Sequence, residues 1–153
     1  MYDWACRSRS IGVESSFHEQ PKGVPMSNAV DDGRPGVAVG HVGLKVASVE
    51  ESKTFFVRHG MREIVAKENF AVLELRGGTH LVLSTREADQ APVEKCDFDL
   101  MVDDIDAAYK RFLDDGRELS EISRGRIHDS FTVSGPDGME IDVNSSHAGD
   151  RVV

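Results

Sequence analysis

Acidic side chains are concentrated in two short stretches of this sequence, and such crowded carboxylates are well suited to proton chemistry. Asp97 and Asp99 alternate with other residues in the first stretch, and Glu140 and Asp142 do so in the second. Neighbouring like charges raise the pKa of a carboxyl group, so Glu140 is predicted to move a proton near neutral pH. Crowding without compensation is costly, which favours a metal ion, a cationic ligand or simple solvent exposure.

Histidines and basic residues elsewhere in the chain are candidates for contacting a small-molecule ligand. His128 precedes a predicted strand, and His147 follows the last one, where a loop residue can close a pocket. For loop residues such as these and Arg126, a solvated surface position is the alternative interpretation. The predicted ligand-binding residues are Lys45, His80, Asp99, Arg126, His128 and His147.

An internal repeat defines the elements that must position these side chains. The segment 41–60, HVGLKVASVEESKTFFVRHG, aligns without a gap on the segment 97–116, DFDLMVDDIDAAYKRFLDDG. Each copy begins with an alternating stretch typical of a half-buried strand, and a helix and two or three short strands follow. The sequence therefore predicts an α+β fold with two tandem βαβββ modules, 39–85 and 95–147, forming a curled mixed sheet around a shared pocket.

Capping residues delimit the two predicted helices, 48–59 and 104–115. Ser48 and Glu51 have the spacing of a capping box at the first helix. Asp103 is the predicted N-cap of the second helix, because its carboxylate can accept hydrogen bonds from the free N–H groups there. Both helices are therefore expected to start close to these residues.

Equivalent residues of the two copies are expected to end and to anchor the helices. Gly60 and Gly116 stand where a left-handed residue would terminate each helix. Phe56 and Phe112 occupy matching positions on the apolar side of the helices and are the predicted core anchors. Both modules should therefore bury the same side of their helix.

Alternation along the strands separates an apolar face from a polar one. The face that the helices must cover is predicted to carry Val42, Leu44, Val46, Leu81, Leu83, Phe98, Leu100, Val102, Ile141 and Val143. The opposite face is predicted to carry His41, Lys45, His80, Ser84, Asp97, Asp99, Glu140, Asp142 and Asn144. An antiparallel sheet can leave such a face in water, but twisted sheets from two similar modules favour a concave, polar-lined pocket.

Composition excludes several partner classes and sets the expected domain limits. The net charge of −9 and the pI near 5.1 argue against nucleic acids and anionic membranes as partners. Cys6 and Cys96 form no paired motif, which is typical of a reducing, cytoplasmic setting. Residues 1–36 lack apolar periodicity and are predicted to be a flexible tail, with Met26 as the natural start, before a single domain at 37–147.

Three motifs in this order resemble the vicinal oxygen chelate superfamily, which includes glyoxalases, bleomycin-resistance proteins and extradiol dioxygenases. They are GHVGLKV, FDLMVDDIDAA and FTVSGPDGMEIDV, and the resemblance extends over about residues 38–147. It implies the two-module fold around one pocket. It also implies association into a homodimer, in which a pocket can combine strands of both chains.

The resemblance further implies a divalent metal ion, with Mg, Mn, Fe, Ni and Zn all open. Carried over to this sequence, the ligand positions are His41, Asp97 and Asp142. Asp97 stands where a histidine is common, and Asp142 replaces the customary glutamate. Val82 occupies a fourth ligand position and cannot coordinate a metal. An oxygen-rich set of this kind suits Mg²⁺ or Mn²⁺ better than Zn²⁺.

Two functions follow from the resemblance and the residues. The first is a metal-assisted lyase, isomerase or dioxygenase-type enzyme that acts on a small oxygenated metabolite, with Glu140 as the catalytic residue. The alternative is a protein that binds a small molecule such as an antibiotic without chemistry, as bleomycin-binding relatives do. Metal content distinguishes the two.

Overall fold

The computed structural model describes residues 33–146, 149 and 151. The predicted start at Met26 and the ligand-binding prediction for His147 lie outside these residues. The elements in chain order are β1 (His41–Val46), α1 (Val49–Arg58), β2 (Arg62–Lys67), β3 (Phe70–Glu74), β4 (His80–Thr85), β5 (Leu100–Val102), α2 (Ile105–Asp114), β6 (Ser130–Ser134) and β7 (Glu140–Ser145). Neither helix has the length and apolar composition that crossing a bilayer requires, as far as the described residues extend.

The strands form two mixed sheets, one per module, which confirms the α+β class with tandem modules. The first sheet has the order β1-β4-β3-β2 and the second the order β5-β7-β6. In each sheet the module's first strand runs parallel to its last, and the remaining pairs are antiparallel. The segment 118–123 lies beside β6 through isolated pairings such as Leu119 with Val133, and it takes the place of a fourth strand.

The helix limits agree with the predictions, and one predicted cap is wrong. The Ser48 hydroxyl accepts the Glu51 N–H at 3.2 Å, as the capping-box spacing indicated. At α2 the N-cap is Asp104, whose carboxylate accepts the Ala107 N–H at 2.9 Å. Asp103 lies one residue too early to reach that N–H group. Its carboxylate instead pairs with Arg76 at 2.6 and 2.8 Å.

The helices cover the apolar side of both sheets. Phe56 and Phe112 are 0% and 3% exposed, which confirms them as core anchors. Gly60 and Gly116 have φ of 115° and 73°, the conformation expected at a helix end. The apolar face is also confirmed: Leu44, Val46, Leu81, Leu83, Ile141 and Val143 are buried, and Val42, Phe98, Leu100 and Val102 pack against them partly buried.

A buried polar pair joins the C-terminal ends of the two helices. His59 stacks on Phe112 with ring centroids 3.8 Å apart, and its Nε2 lies 3.3 Å from Asp115 Oδ2. Arg58 and Arg117 also donate to this carboxylate. The hydrogen bond from Arg58 is the largest effect that lowers the pKa of Asp115 to about 2, whereas burial lowers the pKa of His59. His59 and Asp115 are equivalent positions of the repeat, so the modules contact each other at matching residues.

Candidate functional site

Four polar side chains form a row across the uncovered face of the first sheet, called here the first open face. His41, His80, Glu74 and Arg62 are neighbours in the strand register. The imidazole centroids of His41 and His80 lie 5.4 Å apart, and His80 Nε2 lies 4.0 Å from Glu74 Oε1. Arg62 Nε donates to Glu74 at 2.7 Å. The row ends in a charge-neutral Arg–Glu pair and begins with two imidazoles.

The next row on the first open face is apolar. Gly43, Val82, Val72 and Val65 are register neighbours across the four strands, and we call them the valine row. An added Cβ on Gly43 would meet no atom within 4 Å, so the backbone there is open to a ligand. Val65 is 38% exposed. A flat apolar group could therefore contact three valines and approach the Gly43 backbone closely.

The third row places a cation at each edge of the same face. Lys45, Ser84, Phe70 and Lys67 follow one another across the sheet. Both lysines are exposed, and neither forms an ion pair with any of the described residues. In a chain of net charge −9, these ammonium groups are local sites where a negative ligand group would be stabilised.

The uncovered face of the second sheet, the second open face, carries the acids, and Lys95 stands among them. Lys95 Nζ lies 2.7 Å from Asp142 Oδ2, and this hydrogen bond raises the pKa of Lys95. Thr132 donates its hydroxyl to the other oxygen of Asp142 at 3.1 Å. Asn144 donates to Asp99 at 2.6 Å. The chain itself therefore supplies one cation, Lys95, to the crowded acids.

Asp97 does not occupy the position that the gapless repeat predicts. In the first module His41 lies opposite His80, but in the second module Lys95, not Asp97, lies opposite Glu140. Regular pairing resumes only at Leu100 with Val143. The segment leading into β5 therefore advances five residues from Lys95, while β7 advances three from Glu140. The two extra residues place Asp97 on an irregular, exposed segment before β5.

The remaining predicted ligand-binding residues divide between a cleft and the solvent. His128 lines a cleft of about 350 Å³ on the second open face, together with Asp142. Arg126 is exposed in the preceding loop. The neighbouring Arg124 holds this loop in place by bridging Asp106 and Asp129 at 2.5 and 2.7 Å.

Comparison with known proteins decides the family. A sequence model of the Glyoxalase/Bleomycin resistance protein/Dioxygenase superfamily matches residues 38–143. The chain belongs to this superfamily. Among curated proteins, no sequence matches the chain.

Solved structures support the superfamily fold. A lactoylglutathione lyase from Agrobacterium tumefaciens is 15% identical with a TM-score of 0.62, and the match covers 76% of this chain and 99% of that one. TnmS3, an antibiotic-binding protein from Streptomyces sp. CB03234, is 22% identical with a TM-score of 0.62, covering 73% and 98%. A superfamily member from Sphaerobacter thermophilus is 20% identical with a TM-score of 0.61, covering 72% and 98%. At these identities the likeness concerns the fold alone.

The metal ligands that the superfamily suggests do not come together in this chain. No group of three or more His, Cys, Asp or Glu side chains is arranged to hold a metal ion among the described residues. His41 lies on the first sheet, whereas Asp142 lies on the second and already binds Lys95. Asp97 lies on the irregular segment before β5. The residues present therefore do not fit a metal site within residues 33–146 of one chain.

Several side chains of the two open faces were not among the site residues predicted from the sequence. The alternation in FAVLE places Val72 and Glu74 on one face, and this signal could have found both. Lys95 had no such signal, because the gapless alignment of the two copies begins only at position 97. Glu140 lies exposed at the start of β7, where its N–H binds the Glu94 carbonyl at 2.8 Å.

Proposed function

We propose that this protein binds a small organic molecule on the first open face without catalysing a reaction. The observation that carries the proposal is the valine row, an apolar strip with an open glycine between two polar rows. Small-molecule sites commonly combine an apolar floor with a few polar groups that fix orientation. The antibiotic-binding function of TnmS3, which shares the fold, agrees with this proposal.

The three rows indicate the chemistry of the ligand. A flat apolar body fits the valines and Gly43, because only a thin group can use the space that a missing side chain leaves. Lys45 and Lys67 favour a negatively charged or hydrogen-bond-accepting group on one side of that body. On the other side, His41 and His80 offer ring nitrogens that can donate or accept. The expected ligand is therefore a planar, partly anionic molecule.

Filling the space at Gly43 tests the proposal. The probe is anilinonaphthalene sulfonate, which combines a flat naphthalene ring with a negatively charged sulfonate, and its fluorescence reports binding. We expect saturable binding and at least tenfold weaker affinity in Gly43→Val, because the new side chain occupies the open space. Gly40→Val is the matched control, since a Cβ there also meets no atom within 4 Å but lies outside the strands. Equal affinity in Gly43→Val and the parent would contradict the proposal.

A second candidate is a metal-dependent enzyme of the lyase, isomerase or dioxygenase type, with Glu140 as its proton-transferring residue. The observation that favours it is the adjacency of His41, His80 and Glu74 on one face. Because no group of three ligands forms among the described residues, a further ligand would have to come from elsewhere, such as another chain. Calorimetry with Mg²⁺, Mn²⁺, Fe²⁺, Ni²⁺ and Zn²⁺ tests this candidate. Binding that His41→Ala abolishes would support it, and absence of binding would reject it.

We also infer a homodimer. The two open faces differ in charge, with Lys45 and Lys67 on the first and the exposed Asp99 and Glu140 on the second. Two copies can therefore place the first open face of each chain opposite the second open face of the other, which complementary charge would favour. Light scattering should give twice the chain mass. A monomer at micromolar concentration would remove this inference.

A further inference from the structure

The cleft on the second open face is lined almost entirely by hydrogen-bonding side chains, and we call it the hydroxyl cleft. It has a volume of about 350 Å³, at the lower end of the range of small-molecule sites. Its side chains come from β6, from β7, from the segment 118–123 and from His128 in the loop before β6. Four of them carry hydroxyl groups, namely Ser120, Ser123, Ser130 and Thr132.

Some of these groups are already used inside the protein, whereas others remain available. Ser120 donates to the Glu121 carbonyl at 3.1 Å, and Thr132 donates to Asp142. The Ser123 and Ser130 hydroxyls make no hydrogen bond to any described residue. The cleft therefore combines acceptors fixed by internal bonds with two hydroxyls that can turn toward a ligand.

The charge and polarity of the cleft exclude other ligand classes. No lysine or arginine lines it, and two of its side chains, Asp142 and Glu121, are carboxylates, so the lining itself disfavours an anion. Phe131 is its apolar member, and this ring is 3% exposed because it packs into the core on the other side of β6. An aromatic ligand body would therefore find little apolar surface. A neutral group with several hydroxyls would find both donors and acceptors.

We propose that the hydroxyl cleft binds a sugar unit of the ligand. This inference rests on the proposed binding function and specifies the class of molecule, a glycosylated planar compound. Neighbouring hydroxyls of a sugar ring can both donate and accept, so they match a lining that contains carboxylate and amide acceptors together with serine hydroxyls. The first open face would then hold the flat part and the second open face would hold the sugar, within one chain or across the inferred dimer.

Paired probes with and without a sugar test the proposal. The probes are para-nitrophenol and its glucoside, galactoside and mannoside, titrated by calorimetry and by amide chemical shifts. At least one glycoside should bind about fivefold or more tightly than para-nitrophenol, and it should shift the amides of Ser130 and Asn144. The double variant Ser123→Ala with Ser130→Ala should remove this gain. Ser134→Ala, on the same face of β6 but outside the cleft, should retain it.

The outcomes separate this inference from the proposed function. If the glycosides bind no better than para-nitrophenol, or if the gain survives in the double variant, the sugar assignment is overturned. The same holds if none of the four probes binds. The proposed function is decided by the Gly43→Val experiment with anilinonaphthalene sulfonate, which contains no sugar and does not depend on the cleft.

Discussion

The two modules use the same buried pattern but present different open faces. On the covered side, Leu81 and Leu83 of the first module correspond to Ile141 and Val143 of the second, and all four are buried. On the uncovered side, Val82 of the valine row corresponds to Asp142, which binds Lys95 and Thr132. Helix packing restricts the covered side to apolar residues of similar volume, whereas the open side is free to differ. The repeat therefore preserves a scaffold rather than a site.

Two core substitutions, with the largest changes in stability, test whether the two modules contribute equally to the core. Phe56→Ala and Phe112→Ala should each lower the free energy of unfolding by about 3–5 kcal/mol, because each removes a buried ring and leaves a cavity. Leu113→Ala is the control, since this side chain is 56% exposed and its loss should be nearly neutral. Denaturant unfolding measures the three values. A near-neutral result for one phenylalanine would mean that the modules contribute unequally.

The next effect concerns the contact between the modules and depends on pH. The pKa of Asp115 is lowered to about 2 from its usual 3.8. The ionised carboxylate therefore stabilises the folded state fully above about pH 4, and this contribution is lost between about pH 4 and pH 2. The pKa of His59 is lowered from its usual 6.5, so the folded state binds that proton less readily and stability falls as the pH drops below about 6.5.

Two variants distinguish the loss of stability due to Asp115 from the loss due to His59. Asp115→Asn should lower the unfolding free energy by about 2 kcal/mol at pH 7. It should also abolish the loss of stability between about pH 4 and pH 2. His59→Gln should abolish only the loss of stability that begins below about pH 6.5. Denaturant unfolding across pH 3–8 measures both. If the pH profile of the parent survives in both variants, the contact is not the pH-dependent element.

A smaller effect addresses the charge difference between the two open faces. Lys95→Met should leave the unfolding free energy nearly unchanged, because the side chains of Lys95 and Asp142 are 54% and 36% exposed and solvent screens such a pair. It should also make the second open face more attractive to cations, measurable as tighter Mn²⁺ binding by calorimetry. Lys110→Met, which removes a helix-surface pair with Asp114, is the control. Equal Mn²⁺ binding in both variants would show that Lys95 does not compensate the acids.

A last substitution, at Asp97, tests whether the starts of the two modules are equivalent. Asp97→His would restore the metal-binding residue type at the position that the repeat aligns with His41. Because two extra residues displace this position from the sheet, we expect little gain in Ni²⁺ or Zn²⁺ affinity by calorimetry. A gain that disappears in the additional variant His41→Ala would show that the two positions meet after all, within a chain or between chains.

Local chemistry was sufficient to predict both helices and the apolar faces of the strands. The Ser48 cap, the helix-ending Gly60 and the burial of Phe56 depend on residues within a few positions of each other, so sequence spacing determines them. Alternation likewise determines which side of a strand Leu81 and Asp142 occupy, because successive side chains point to opposite faces. These features hold wherever the strands end up in the fold.

Neighbours across strands and between modules were decided only by the tertiary structure. The valine row depends on the register of four strands, and alternation cannot say which residues of separate strands lie side by side. The two extra residues before Leu100 changed that register, which brought Lys95 into the sheet and left Asp97 outside it. His59 meets Asp115 for a similar reason, since the packing of two helices sets their contact. Such pairings depend on the positions of chain segments that are distant in sequence, and residue spacing alone does not specify those positions.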